Sequence, residues 1–142
     1  MIEVRAARDD EELSAALAVR HAAFVVEQHV PVADELDGRD DRALHLVAIE
    51  EGTVVATCRL LPDGATVKLS RMAVAASARR RGMASALLHE AEERARTQGA
   101  QRIALSAQTD ALGLYERAGY TAYGRRFMDA GIEHLMMEKR LA

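Results

Sequence analysis

The spacing of apolar residues along the chain predicts three helices. The longest covers residues 82–98, where the apolar positions recur every four residues and Gly99 then supplies a stop. A helix over about residues 11–24 is predicted behind two N-capping aspartates, and a short helix over about 110–117. The repeating positions of the longest helix are Met83, Leu87, Ala91 and Ala95.

Short apolar and β-branched runs between turn signals predict seven strands. The segment Glu51-Gly52 predicts a hairpin, Pro62-Asp63-Gly64 predicts a loop turn, and the acidic stretch 25–42 is predicted to be loop or short helix. The strand–helix–strand order in the middle favours one parallel pair, and the hairpins favour antiparallel pairs around it. We therefore expect the α+β class: a mixed, mostly antiparallel sheet with helices on both faces and a central β-α-β crossover. The predicted strands cover residues 2–6, 44–50, 53–61, 65–74, 102–107, 121–124 and 133–140.

Length and charge limit the functions that the chain can have. The 142 residues are typical of one domain, predicted to span 1–142. A net charge of -3 gives no overall attraction to nucleic acid or anionic membranes, so a phosphate site must be local. The single cysteine, Cys58, and the lack of a leader-like or membrane-spanning apolar run predict a cytoplasmic protein.

A basic loop precedes the longest predicted helix and indicates an anion site. Arg79, Arg80 and Arg81 lie between a strand that ends near Val74 and the helix itself. The first turn of a helix has unpaired N–H groups and a partial positive charge, which suits a pyrophosphate. The run is alternatively a solvated surface turn, but three cations at the positive end of a helix are unfavourable unless an anion joins them.

The pattern Arg79-x-x-Gly82-x-Ala84 resembles the acetyl-CoA signature of the GNAT superfamily of N-acetyltransferases. The preceding segment 70–74 resembles the strand of that family that splays from its parallel neighbour and pairs with pantetheine. Segments 35–40, 59–64 and 131–134 extend the resemblance over nearly the whole chain, to the ElaA-like branch. The resemblance implies the GNAT fold, acetyl-CoA as co-substrate and no metal. It implies cofactor contacts from Met72, Ala73, Val74, Arg79, Arg80, Arg81, Gly82, Met83, Ala84, Ser85, Gln108 and Tyr115.

A second resemblance concerns the short helix, where Leu114-Tyr115-Glu116 is followed by Gly119-Tyr120. In many GNAT enzymes the matching tyrosine protonates the leaving thiolate, which implies that Tyr115 is the catalytic acid. Tyr115 is alternatively an aromatic of the core with a satisfied hydroxyl. A backbone N–H of the splayed strand, such as that of Val74, is the expected donor to the thioester oxygen.

The base that accepts the proton of the amine has several candidates. Glu27 is the first, because its segment lines the acceptor groove in relatives. Glu35 and Asp37, the strand histidines His45 and His134, and a chain of water molecules are the others. The acidic segment 34–41 is expected to be a solvated loop, with attraction of a cationic amine as the alternative, and it lacks calcium-loop spacing. Cys58 lies in an apolar strand and is expected to be core.

The predicted function is an acetyl-CoA-dependent N-acetyltransferase, in which a primary amine of a small molecule or peptide attacks the thioester directly. Two alternatives stay open: a non-catalytic GNAT-fold sensor of acyl-CoA, and a simple nucleotide-phosphate binder. Tyr115 separates the first alternative from the enzyme, because a sensor needs no acid there. The expected partners include neither nucleic acid nor membrane, and the protein is expected to be a monomer or a homodimer.

Overall fold

The computed structural model describes residues 2–141, which form one seven-stranded sheet in the order β1-β2-β3-β4-β5-β7-β6. The β4–β5 pair is parallel, and every other pair in this sheet is antiparallel. The predicted α+β class with a mixed sheet and a central crossover is therefore confirmed. The strands are β1 (Ile2–Ala6), β2 (Leu44–Glu50), β3 (Thr53–Asp63), β4 (Thr66–Val74), β5 (Arg102–Gln108), β6 (Thr121–Asp129) and β7 (Ile132–Arg140).

The helices cover both faces of the sheet. Asp9 caps the first helix by accepting a 2.9 Å hydrogen bond from the backbone N–H of Glu12. The longest helix begins at Met83, one residue after a glycine in the left-handed region. The helices are α1 (Asp10–Arg20), a π-helical turn (His21–Glu27), α2 (Val32–Glu35), α3 (Met83–Thr97) and α4 (Leu112–Arg117).

Strand parity shows which helix covers which face. Lys139 of β7 donates a 2.8 Å bond to Glu92 of α3, so odd-numbered residues of this part of β7 face α3. The apolar stripe of α3 packs on the same face, with Leu87 and Leu88 buried against Leu105 of β5. The opposite face is covered by α1, the π-helical turn and the segment that follows it.

A gap opens in the middle of the sheet. Strands β4 and β5 pair only from Thr66 opposite Arg102 to Leu69 opposite Leu105. Beyond that point β4 stays paired with β3 through Val74, while β5 stays paired with β7 through Gln108. An extra residue in β4 shifts its register against β3 between Ser70 and Ala73, and such a bulge bends a strand. The two parallel strands therefore diverge.

Three predictions of local structure were wrong. The helix expected over 11–24 is α-helical only to Arg20 and continues as a π-helix to Glu27. Pro62 was expected in a loop but lies in β3 opposite Val67. The pairing of β3 with β2 ends at Leu60, so within the described chain the other side of β3 is unpaired at Pro62, and a residue without an N–H is tolerated there. Strand β6, expected over 121–124, continues to Asp129.

The acidic segment 34–41 is only partly a solvated loop, which corrects the expectation, because carboxylates within it are buried or paired with arginines. Glu35 is only 3% exposed and accepts bonds from two arginines. Asp37 accepts two 2.8 Å bonds from the buried Arg59, which hold the pKa of its carboxyl far below its usual range. Cys58, in contrast, is buried in the core as predicted.

Candidate functional site

A cavity of about 410 Å³ passes through the gap between β4 and β5. Phe24, Glu27 and His134 line it from the α1 face of the sheet, and Ala84 and Tyr115 line it from the α3 face. Because one continuous cavity reaches both faces, a ligand can enter from one side and meet a second ligand from the other.

The N-terminal turn of α3 lies at one end of the cavity with free donors. The first backbone bond of the helix runs from the N–H of Ala86 to the carbonyl of Gly82, so the three preceding N–H groups have no partner within the helix. Gly82 has a φ of 82° and, within the described chain, no side chain caps this turn. Free donors of this kind, together with the helix dipole, are suited to bind an anion.

Two of the three loop arginines are neutralised by carboxylates. Arg79 lies 2.6 Å from Glu27, and Arg81 makes a two-pronged contact of 2.7 and 2.8 Å with Glu50. Arg80 has no carboxylate partner among residues 2–141. The expectation that these cations need an external anion is therefore weakened, because the fold itself supplies two of the opposite charges.

The backbone of β4 presents a free donor to the gap. The N–H of Ala75 bonds to the carbonyl of Val55 in β3 at 2.7 Å. Successive N–H groups of a strand point to opposite sides, so the N–H of Val74 points away from β3 and toward the diverging β5. The carbonyl of Val74 faces the same way, and Nε of Arg79 donates to it at 3.0 Å. The N–H of Val74 thus faces the gap and borders the cavity.

Tyr115 carries a hydroxyl that faces the cavity from the α3 side. The residue is 7% exposed, and burial raises its pKa to about 12. Its ring packs edge-to-face on Tyr120, with ring centroids 6.0 Å apart. Every fully buried side-chain nitrogen or oxygen in residues 2–141 has a hydrogen-bond partner. The Tyr115 hydroxyl makes no bond to these residues, so it must be open to the cavity. It stays protonated at neutral pH.

Glu27 lines the α1 side of the cavity, where the π-helical turn ends. Its hydrogen bond from Arg79 lowers the pKa of its carboxyl. The next residue, Gln28, exchanges side-chain amide bonds of 2.8 and 3.4 Å with Gln108 at the end of β5. This amide pair joins the π-helical turn to the sheet. A π-helical turn is often found at functional sites.

A buried ionic network supports the floor of the cavity, and sequence reasoning missed it. The carboxylate of Glu35 accepts bonds from Arg20 at 2.9 and 3.1 Å and from Arg71 at 2.7 Å. Arg71 has a φ of 58°, which is strained for a residue with a Cβ, and it lies in the β4 bulge. The network therefore holds the bulge in place. The sequence signal for it is Arg20, a charged residue on the same predicted helix face as Leu13 and Leu17.

The cavity brings together most of the predicted site residues. Arg80, Arg81, Gly82 and Ser85 lie on the exposed loop and first helical turn next to it, and the Met83 side chain is buried in the core. His45 lies outside the lining, where its Nε2 contacts the carbonyl of Asp40 at 2.9 Å. The predicted residues that line the cavity are Glu27, Glu35, Met72, Ala73, Val74, Arg79, Ala84, Gln108, Tyr115 and His134.

Neither a metal site nor a membrane-spanning helix is found in the part of the chain that the structure describes. Residues 2–141 contain no group of three or more His, Cys, Asp or Glu side chains placed to hold a metal ion. None of their helices has both the length and the apolar character needed to span a membrane.

The sequence and the fold are similar to those of known proteins. The family model described as "Acetyltransferase (GNAT) domain" matches residues 6–141. The uncharacterized N-acetyltransferase YjcF of Bacillus subtilis is 34% identical over 134 residues, which cover 94% of this chain and 96% of YjcF. An acyl-CoA N-acyltransferase from Pseudomonas aeruginosa is 29% identical with a TM-score of 0.87, covering 98% and 99% of the two chains. Escherichia coli ElaA is 25% identical with a TM-score of 0.86 and the same coverage.

Proposed function

Because the chain belongs to the GNAT acetyltransferase family and is an acyltransferase, we propose that it transfers an acetyl group from acetyl-CoA to a primary amine. The amine belongs to a small molecule or a peptide. The observation that carries this proposal is the cavity through the gap between β4 and β5, with unpaired helix N–H groups at one end and the Tyr115 hydroxyl within it.

The CoA moiety occupies the groove along β4 and the start of α3 in this proposal. Met72, Ala73 and Val74 border the diverging edge of β4, where an extended pantetheine arm can pair with free backbone groups. The N–H groups of the first turn of α3 bind the pyrophosphate, and Arg80 adds a charge that no carboxylate of residues 2–141 neutralises. Gln108 borders the thioester end from the β5 side.

The chain's own groups assist the transfer at three points. Acetyl-CoA supplies an activated acyl group whose carbonyl carbon accepts the amine nitrogen. The N–H of Val74 stabilises the negative charge that develops on the carbonyl oxygen. Tyr115, still protonated because its pKa is about 12, gives its proton to the departing sulfur. The carbon–nitrogen bond forms as the carbon–sulfur bond breaks.

The amine nitrogen must lose a proton during the transfer, and several side chains with basic groups line the cavity. Glu27, the first candidate from the sequence, and His134 are two of them. Asp34, Glu35 and Asp129 also line it, and the Glu35 carboxylate is already held by Arg20 and Arg71. The amine approaches from the α1 face, because Tyr115 and the N-terminus of α3 occupy the opposite face.

Calorimetry with acetyl-CoA, desulfo-CoA and ADP tests the cofactor part of the proposal. We expect acetyl-CoA and desulfo-CoA to bind well and ADP to bind weakly, because ADP cannot use the groove along β4. Equal binding of ADP would support a simple phosphate binder. No binding of acetyl-CoA to folded protein would overturn the proposal. Thiol release in the presence of amines then tests turnover, and binding without turnover would support an acyl-CoA sensor.

A further inference from the structure

His134 lies on β7 and lines the cavity. One of its ring nitrogens is bonded to the backbone, and the other is open to the cavity. From its tautomer, its exposure and its position in the sheet, we infer that Nε2 of His134 is the base that takes the proton of the acceptor amine. This inference rests on the proposed acetyl transfer and assigns a catalytic residue to it.

The hydrogen bonding of the ring decides which nitrogen is free. Nδ1 of His134 lies 2.7 Å from the backbone carbonyl oxygen of Ile132. A carbonyl oxygen only accepts hydrogen bonds, so Nδ1 carries the hydrogen and donates it. In the neutral ring, Nε2 then has no hydrogen and presents a lone pair. The fold thus fixes the tautomer in which the outer nitrogen is a base.

The lone pair of Nε2 is open to the cavity. Nε2 makes no hydrogen bond to any described residue, yet no fully buried side-chain nitrogen in residues 2–141 lacks a partner. Nε2 is therefore accessible to solvent, although His134 is only 9% exposed. Because the residue lines the cavity, this small accessible part faces the place where the acceptor binds.

The ring is held rigidly in this position. It stacks on Phe127 of the neighbouring β6, with ring centroids 5.7 Å apart and an interplanar angle of 22°. One ring face, the Nδ1 edge and the backbone are thus fixed by β6 and β7 themselves. A base that is oriented before its substrate arrives loses little entropy in the reaction.

Strand parity puts His134 and Tyr115 on opposite faces of the sheet. His134 is even-numbered, so it faces away from α3, whereas Lys139 of the same strand reaches α3. It lies directly opposite Gln108 of β5, whose side chain bonds to Gln28 on the α1 face. Tyr115 packs within the core of the α3 face. The base and the acid therefore approach the gap from its two sides, as the amine and the sulfur must.

Glu27 is a weaker candidate because its carboxylate is already engaged. Arg79 holds it at 2.6 Å and lowers its pKa, and a carboxylate of lowered pKa is a poor proton acceptor at neutral pH. An imidazole is the side chain whose ordinary pKa lies closest to neutral pH. Glu27 acts instead through Arg79, which it positions against the carbonyl of Val74.

The proton transfers balance with this assignment. The neutral amine nitrogen bonds to the thioester carbon and gives its proton to Nε2, while the carbon–sulfur bond breaks and the sulfur receives the Tyr115 proton. Nε2 then returns its proton to solvent, and Tyr115 regains one. The products are an amide and a thiol, and no oxidant or reductant takes part.

The substitution His134→Asn tests the inference with little change in structure. The asparagine amide nitrogen can replace Nδ1 as the donor to the Ile132 carbonyl, but it provides no base. The matched control is His45→Gln, because His45 is similarly buried and bonded to a backbone carbonyl but lies outside the cavity. The assay measures thiol release from acetyl-CoA with propylamine, putrescine, phenethylamine and lysine amide, and calorimetry measures acetyl-CoA binding.

We expect His134→Asn to lower kcat by roughly 10²- to 10⁴-fold, the usual contribution of a general base, while the Kd for acetyl-CoA changes less than about twofold. His45→Gln should keep kcat, and added imidazole should restore part of the activity of His134→Ala. A wild-type protein that binds acetyl-CoA but acetylates none of these amines overturns the inference, and so does a His134→Asn variant as active as the wild type. If Glu27→Gln lowers kcat and His134→Asn does not, the assignment of the base to His134 is refuted. Failure of acetyl-CoA to bind the wild type is a different result, because it overturns the proposed function itself.

Discussion

The substitution Glu35→Gln tests whether the buried ionic network contributes to the stability of the fold. Glu35 is 3% exposed, and its partner Arg20 is 1% exposed. The carboxylate accepts three hydrogen bonds from Arg20 and Arg71. Glutamine has the same shape, so no cavity forms. It has no charge, however, and its NH2 group must face a guanidinium that also has only donors.

The size of the effect follows from the burial of the pair. Removing one partner of a buried ion pair destabilises a protein by about 3–5 kcal/mol. Asp40 still pairs with Arg20 at 2.8 Å, so we expect a loss near the lower end of that range. Unfolding entropy scales with chain length, and for a chain of 142 residues it is about 0.3 kcal/mol per kelvin. A loss of about 3 kcal/mol therefore lowers Tm by about 10 °C.

Thermal unfolding followed by circular dichroism measures this difference, with Glu93→Gln as the matched control. Glu93 makes an exposed pair with Arg96 on α3, at 2.8 Å, and exposed pairs contribute about 0–1 kcal/mol. The control should therefore lower Tm by no more than about 3 °C. If the two substitutions lower Tm equally, the argument that burial makes the network important is refuted.

Three further results are expected. Tyr115→Phe should lower kcat at least about tenfold with an unchanged Kd for acetyl-CoA, and an unaffected kcat would contradict the role of Tyr115 as acid. In the wild type, deprotonation of Tyr115 should not lower kcat until the pH nears its pKa of about 12. Arg80→Glu should weaken CoA binding by roughly tenfold or more in calorimetry, whereas Lys68→Glu, in the exposed Asp63–Lys68 pair, should not; equal affinities would remove Arg80 from the phosphate site. The Cys58 thiol, whose pKa burial raises to about 12, should react with a disulfide reagent only after unfolding, and rapid labelling of the folded protein would contradict its burial.

The parts of the fold that follow local rules could be predicted from the sequence. Helix α3 is amphipathic with a period near four, and its boundaries were predicted within about one residue. The turn at Glu51-Gly52 joins two strands that the apolar and β-branched runs on either side of it also predict. The π-helical turn could not be predicted, because residues 21–27 suit an α-helix equally well, and packing against the sheet decides between the two.

The charge pairs of the site depend on contacts between distant residues. Glu27 and Arg79 are 52 residues apart, and Glu50 and Arg81 are 31 residues apart. No local sequence pattern links such distant residues. The sequence could therefore indicate an anion site, but it could not indicate that carboxylates of the same chain already neutralise two of its arginines. The tautomer of His134 depends likewise on a backbone carbonyl whose position is known only after the strand has formed.

The short parallel seam between β4 and β5 has a mechanical consequence. The ladder that joins the two antiparallel half-sheets has four residue pairs among residues 2–141, from Thr66–Arg102 to Leu69–Leu105, and beyond them the boundary is the gap. A ligand that lies in the gap contacts both half-sheets and links them where their strands are not paired. Its binding energy then adds to the cohesion of the whole sheet. A molecule bound in the gap would thus stiffen the sheet along the line where its own strands are not paired.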